Sequence, residues 1–388
     1  MTSSHVIGAG IHTGLGRGLA ANIEALRRPP PRAPLVALPL AGAVTPLPCH
    51  LLFDLPLEAI ETRLEAAVLG VVAEALEASD LSSAEIEDAA LVLGTSSMDI
   101  SVSEAVYRRE LVERAEALPL MANSCIGQLA DHIRRRFGIK GQDLTVNTAC
   151  TASANALMYG DLLIQGGCAR HAVVLGVEIF NLITAMGFSG LELLSPEGMK
   201  PFDVDRSGLV LGEACAALVI AAEPRGRGGY WLEAGANLCD THAISAANPD
   251  GSTVAAVMRE ALARAGVDPA AIVAVKAHGT ASLLNDEAES AALADIFSSL
   301  HGIAGPRVAV LKPFIGHTFG ACGLAELILF MGAAEAGFLP ATPGICVQPS
   351  DLGITLPQTP APLPRGRFLL NYAGFGGNNT ALILANAV

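Results

Sequence analysis

Asp143-Leu-Thr-Val-Asn-Thr-Ala-Cys150-Thr-Ala-Ser-Ala-Asn-Ala-Leu157 is a short apolar strand pattern that runs into a helix pattern, with a cysteine at the junction. Unpaired backbone N–H groups and the positive end of a helix dipole favour a thiolate at such a place. The expected thiol pKa there lies below the free value of about 8.5. Ala152, Ser153, Ala154 and Ala156 are small, so the helix can pack tightly on a neighbour while its first turn stays open. A buried structural thiol is the competing reading, because free cysteine is among the most buried residue types.

The rest of the chain has the composition to surround such a unit with a large core. Of 388 residues 51% are hydrophobic and only 16% charged, which suits close-packed helices and sheets in two domains or one duplicated unit. So much apolar surface also predicts a dimer. A net charge of −14 argues against a general nucleic-acid or anionic-membrane binder. No apolar run reaches the roughly 20 residues of a membrane span. Met1-Thr-Ser-Ser-His lacks the basic start of a secretory signal, so a cytoplasmic location is expected. The eight cysteines (49, 125, 150, 168, 215, 239, 322 and 346) form no CxxC pair and no metal-ligand spacing, which predicts reduced thiols and no bound metal.

Periodicity then gives the elements. A strand from Ser4 enters a glycine-rich turn and a helix at Leu19–Leu26; the spacing of Gly8, Gly10 and Gly14 does not fit GxGxxG. Pro29 to Pro48 reads as a surface loop. A helix follows from Pro56 to Ser79, a buried strand ending at Gly94-Thr95, and helices at Ser103–Ala115 and Ser124–Phe137. After the Cys150 unit come an apolar strand from His171 and a hairpin turning near Gly212. Pro224-Arg-Gly-Arg-Gly-Gly is the most linker-like segment. Beyond it the pattern restarts with strand Tyr230–Ala236, helix Thr253–Ala265, strand Ile272–Lys276, helix Asp286–Phe297, strand Val308–Leu311, helix Gly320–Ala336 and a closing strand pair to Leu384.

The two stretches, 1–225 and 226–388, echo one another. Leu91-Val-Leu-Gly-Thr-Ser-Ser answers Val275-Lys-Ala-His-Gly-Thr-Ala-Ser, and the run into Cys150 answers Phe314-Ile-Gly-His317 before Gly320-Ala-Cys-Gly-Leu-Ala. Gly212-Glu-Ala-Cys-Ala-Ala-Leu-Val-Ile answers Gly377-Asn-Asn-Thr-Ala-Leu-Ile-Leu. Such repeats imply a duplicated α/β unit whose matching strand ends face one cleft, with Cys150 from one half and His278 and His317 from the other. Lys312, five residues before His317, and Glu326, nine after it, are a pair more suited to stabilising a site than to reacting in it.

Together these motifs carry a specific likeness. Asn147-Thr-Ala-Cys150-Thr-Ala-Ser, the run from Lys200-Pro-Phe-Asp to Gly212-Glu213, Ala277-His-Gly-Thr280, Lys312-Pro-Phe-Ile-Gly-His317 and Asn371-Tyr-Ala-Gly-Phe-Gly-Gly-Asn-Asn379 resemble, in order, the elongating, decarboxylating β-ketoacyl-acyl-carrier-protein synthases. The resemblance implies a thiolase-like α/β fold of two similar halves in five α-β-α-β-α layers, and a homodimer or a heterodimer with a paralogous synthase. It implies a Cys-His-His site in which Cys150 accepts the acyl group, His278 and His317 support decarboxylation, and Lys312 with Glu326 orders the second histidine. Backbone N–H groups of Cys150 and Phe375 would form the oxyanion hole, with Phe375 gating entry, and Thr280 and Ser282 would contact the pantetheine arm. No cofactor is implied beyond the phosphopantetheine of the acyl-carrier protein.

Thr151, Pro313, the Ala281-Ser-Leu-Leu-Asn turn and Tyr372-Ala373 depart from the family pattern and point to a specialised synthase, of polyene or aryl-polyene type, rather than a housekeeping one. Two alternatives remain at this level: a chain-length-factor-like or regulatory subunit of a heterodimer, and a thiolase-type acyltransferase. Thiolases use a second cysteine near the C-terminus, which Gly374-Phe-Gly-Gly lacks. For docking of an acidic carrier, Arg206 matches a family position. Arg134-Arg135-Arg136 with Lys140 is the densest basic run, a solvated helix face first and a docking patch second.

Overall fold

Ten strands fall into two sets of five with the same internal order. They are β1 (Ser4–Thr13), β2 (Ala90–Gly94), β3 (Asp143–Val146), β4 (His171–Glu178) and β5 (Ala214–Ala221), then β6 (Trp231–Cys239), β7 (Ile272–Lys276), β8 (Arg307–Ala309), β9 (Arg367–Gly374) and β10 (Asn378–Ala385). The computed structural model describes residues 3–40, 43–56, 60–113, 128–225, 229–297, 305–342 and 355–387. Cys125, Cys346, the expected helix start at 124–127 and the linker centre at 226–228 lie outside the described residues.

The sheet order is β8-β7-β9-β10-β6-β1-β5-β4-β2-β3. Each strand therefore has its counterpart five strands later. The pairings agree as well: β2 is parallel to β3 and β4, as β7 is to β8 and β9. The remaining neighbours within each set are antiparallel. Among the described residues the two sets of strands pair where Ser4 and His5 of β1 meet Leu232 and Trp231 of β6.

β2, β4, β5, β7 and β10 are apolar runs because both their faces are covered. On β5, Cys215, Ala217 and Val219 join Val68, Val71, Val72 and Ala75 of α1 (Ile60–Ser79) in one core. Ala216, Leu218 and Ile220, on the opposite face, join a central core with α2 (Ala152–Gln165). In the second half Ala381 and Ile383 of β10 pack with α3 (Ser252–Ala265) and α4 (Leu283–Phe297), while Leu382 and Leu384 face the central core. The last helix, α5 (Cys322–Glu335), completes that central layer and is buried on every side, as its run Leu324-Ala-Glu-Leu-Ile-Leu-Phe-Met331 requires. Three cores between five layers give α-β-α-β-α. The small residues of α2 permit its contact with α5: a Cβ on Gly323 would lie 2.2 Å from the Ala154 nitrogen.

Two expectations fail. The stretch from Pro29 to Pro48 contains a two-stranded ribbon, Leu35–Leu40 with Ala43–His50, rather than only loop. Cys49 N–H donates to Pro34 O, so alternation puts Pro39, Pro46 and Pro48 in the pairs that exchange no hydrogen bonds, where a missing N–H costs nothing. The hairpin near Gly212 does not form either. Leu211–Gly212 pairs in parallel with Cys49–His50 while β5 starts afresh at Ala214. Its backbone is instead taken by His317, whose N–H donates to Val210 O at 2.7 Å while Gly212 N–H donates to His317 O at 3.0 Å.

Candidate active site

Cys150 lies in the tight turn between β3 and α2, reached through Ala149 at φ 52°. A non-glycine residue there is uncommon and stores strain. His317 occupies the corresponding corner of the other half, after β8 and ahead of α5. Its Nε2 is 3.2 Å from Cys150 Sγ, and its Nδ1 accepts the Phe319 N–H at 3.3 Å. With Nδ1 occupied as an acceptor, the ring proton sits on Nε2 and points at the sulfur.

His278 follows β7, and its ring meets that of His317 edge-on at 5.5 Å between centroids. Lys312, from the short helix Lys312–Ile315, stands 3.2 Å from His278 Nδ1 and donates to His278 O at 2.7 Å. The ammonium can only donate, so His278 too carries its proton on Nε2. Glu326 of α5 accepts from Lys312 at 2.7 Å. The lysine therefore orders His278, whereas the resemblance assigned it to the second histidine. Burial, helped by Lys312, holds both imidazoles well below their usual range and so keeps them neutral.

The thiol does not follow the helix-start expectation. Burial pushes Cys150 up to about 12; Lys312 opposes this, Glu178 adds to it, and the N–H groups of Phe375 and Cys150 pull weakly the other way. At the resting site, desolvation outweighs the dipole. Those same two N–H groups are the donors expected for an oxyanion.

Cys150, His278, His317 and Phe375 line a cavity of about 360 Å³ that also takes in Thr280 and Ser282, whose hydroxyls are 2.9 Å apart. The Phe375 ring stacks on Phe188 at 5.3 Å, and Phe188 packs in turn on Phe319. Arg206 lies beside the mouth, but its guanidinium is committed inward to Asp203 O, Leu283 O and Glu287. Arg134, Arg135 and Arg136 end the helix Gln128–Phe137, and Arg134 pairs with Asp143 at the start of β3. That is the opposite strand end from Cys150, so the structure does not bring this run to the cavity.

Four contributors were not anticipated. Phe188 carried no local signal. Glu289 accepts the N–H groups of His278 and Gly279 at 2.6 and 2.8 Å, and Asn371 Nδ2 donates to it at 2.6 Å. Lys276 was visible as a charge ending the apolar run Ile272-Val-Ala-Val-Lys276, a position where burial demands partners.

Residues 57–225 match the family model for the beta-ketoacyl synthase N-terminal domain, and residues 231–345 match that for the C-terminal domain. This chain belongs to the β-ketoacyl synthase family. Among relatives of this family member, a mitochondrial 3-oxoacyl-[acyl-carrier-protein] synthase of Arabidopsis thaliana is 29% identical over 67% of the chain and 60% of its own length. A highly reducing polyketide synthase of Emericella nidulans is 31% identical over 72% of the chain, which spans only 12% of that much longer enzyme. Among solved structures, a complex of a ketosynthase with its chain length factor from Xenorhabdus doucetiae matches with a TM-score of 0.88 at 26% identity. It covers 100% of this chain and 98% of the matched one. The fold is thus the thiolase-like fold of the ketosynthases. No helix among the described residues is long and apolar enough to cross a membrane.

Proposed function

We propose that this β-ketoacyl synthase family member carries out a decarboxylating condensation. Cys150 takes an acyl group from one carrier thioester and releases the carrier thiol. Malonyl thioester then loses CO₂, and the resulting enolate carbon attacks the acyl-Cys150 carbonyl, expelling the cysteine thiolate and leaving a β-ketoacyl carrier. One observation carries this reading: both imidazoles have Nδ1 engaged, which leaves Nε2 to carry the proton, and both rings line the cavity that holds Cys150. Two neutral donors converging on one thioester oxygen can stabilise an enolate without becoming proton acceptors. The His317 N–H also faces the sulfur at 3.2 Å, a hydrogen bond that favours the thiolate form. The Phe375 and Cys150 N–H groups are suited to the tetrahedral oxyanion.

The partners we infer are an acyl-carrier protein and a second synthase chain, identical or paralogous. The match to a ketosynthase–chain length factor complex supports the second. A purely chain-length-factor role is disfavoured by the Cys150–His317 contact. We read 1–225 and 226–388 as the two halves, in line with family matches that end at 225 and resume at 231. Free Cys49, Cys168, Cys215, Cys239 and Cys322 support a reducing cytoplasm as the site of action. The unusual Thr151, Pro313 and Tyr372 support a specialised pathway, and the reading calls for no cofactor beyond the carrier's phosphopantetheine. Incubation with acyl-carrier and malonyl-carrier should give an acylated protein, CO₂ and a chain two carbons longer. A protein that acylates but never extends the chain would refute the reading.

A further inference from the structure

Two buried lysines share one buried carboxylate. Lys312 has its role beside His278, but Lys276 touches neither histidine ring. It ends β7 with no exposed surface, its Nζ 2.8 Å from Glu326 Oε2, 2.7 Å from Asn371 O and 3.5 Å above the Tyr372 ring. Burying an ammonium costs several kcal/mol unless it is well paired. An apolar residue would fill this strand end at no such cost, so the partners matter.

Those partners are the two arms that clamp His278. Glu326 uses its other oxygen to hold Lys312, which reaches His278 Nδ1 and O. Asn371, whose carbonyl Lys276 holds, gives its side-chain amide to Glu289, and Glu289 accepts the His278 N–H. One arm comes from α5 and the other from β9 and α4, and they meet at Lys276.

We propose that Lys276 is a positioning residue of the condensation site, fixing both arms that orient His278 and adding a second cation to the buried cluster around Glu326. The proposal rests on the functional reading above for the role of the histidines. The charged groups around the two rings are Lys276 and Lys312 as cations, with Glu326, Glu289 and, behind Cys150, Glu178 as anions. The thiols of Cys150 and Cys322 and the Tyr372 hydroxyl are the remaining titratable groups. Against this set, Lys276 adds to the burial and the Lys312 charge that keep both imidazoles neutral. The neutral form is the one that can accept at Nδ1 and donate at Nε2. Without Lys276, the rings should protonate at higher pH and lose that arrangement.

The test is histidine imidazole NMR of the full-length protein across pH, alongside CO₂ release from malonyl carrier. Wild type should keep both rings in the neutral Nε2–H form well below the ordinary imidazole range. Lys276→Met should move protonation of at least one ring up by about one pH unit, with the acidic limb of CO₂ release moving in step. Lys276→Arg should restore the wild-type profile. Lys276→Gln removes the charge yet can still hydrogen-bond the Asn371 carbonyl, and carries the test if the Met variant does not fold. Ring titration identical to wild type in the folded uncharged variant overturns the proposal. A shifted titration in a protein whose wild type releases no CO₂ leaves the role of Lys276 standing and overturns the functional reading instead.

Discussion

The two histidines should fail differently when removed. His278 is fixed by Lys312 and Glu289 and lines the cavity, while the 3.2 Å contact to Cys150 Sγ is made by His317. Each supplies one fixed donor to the enolate oxygen, and loss of one such donor costs about 2.7–4 kcal/mol, or roughly 10²–10³ in rate. His278→Ala should therefore lower CO₂ release by about that factor and leave Cys150 acylation nearly intact. His317→Ala should lose the same factor in CO₂ release. It should also slow acylation by about 10–10², because a hydrogen bond to a charged sulfur is worth about 1.5–3 kcal/mol. Intact-protein mass against time measures acylation, and trapped CO₂ from malonyl carrier measures decarboxylation. Equal acylation rates in the two variants, or normal CO₂ release in either, would refute the assignment of donors.

Cys150→Ala should abolish the acyl adduct by mass, and an adduct that persists would place the nucleophile elsewhere. Because burial raises the Cys150 thiol to about 12, its alkylation by iodoacetamide should keep climbing through the alkaline range; a plateau at neutral pH would mean a resting thiolate. Gly323→Ala should destabilise the fold by about 1–3 kcal/mol, seen as a lower Tm, since its methyl would meet the Ala154 backbone. Arg206→Glu should lower Tm along with carrier turnover, because the guanidinium anchors the Asp203 and Leu283 carbonyls; Arg135 and Arg136 reversed together should leave the KM for carrier unchanged. Light scattering should report a dimer, as Leu144 on edge strand β3 and Tyr159 and Leu162 on α2 are 40%, 43% and 57% exposed.

The duplicated architecture was legible because strands buried on both faces must be apolar, and such runs recur at matching places in the two halves. The Cys150, His278 and His317 corners were legible for the same reason, each being a reactive residue at a strand end. What escaped was set by long-range partners. Prolines in the ribbon read as loop because single-strand propensity cannot show which pairs forgo hydrogen bonds. The Leu211–Gly212 segment read as a hairpin because nothing local reveals that His317 claims its backbone. Helix position predicted a thiolate at Cys150, but the extent of desolvation is a tertiary property. Lys312 was found, yet its histidine was misassigned, since sequence proximity favoured His317 and the fold delivers His278.

The strand order that repeats after five has a practical consequence. Cys150 lies in the first half and both histidines in the second, while among the described residues the strand pairing between the two sets is confined to Ser4–His5 and Trp231–Leu232. A chain cut between β5 and β6 would give two fragments that each hold half of the chemistry, so turnover by the mixture would report their reassembly. Fused to two other proteins, the halves would then serve as a split-enzyme sensor of whether those proteins meet.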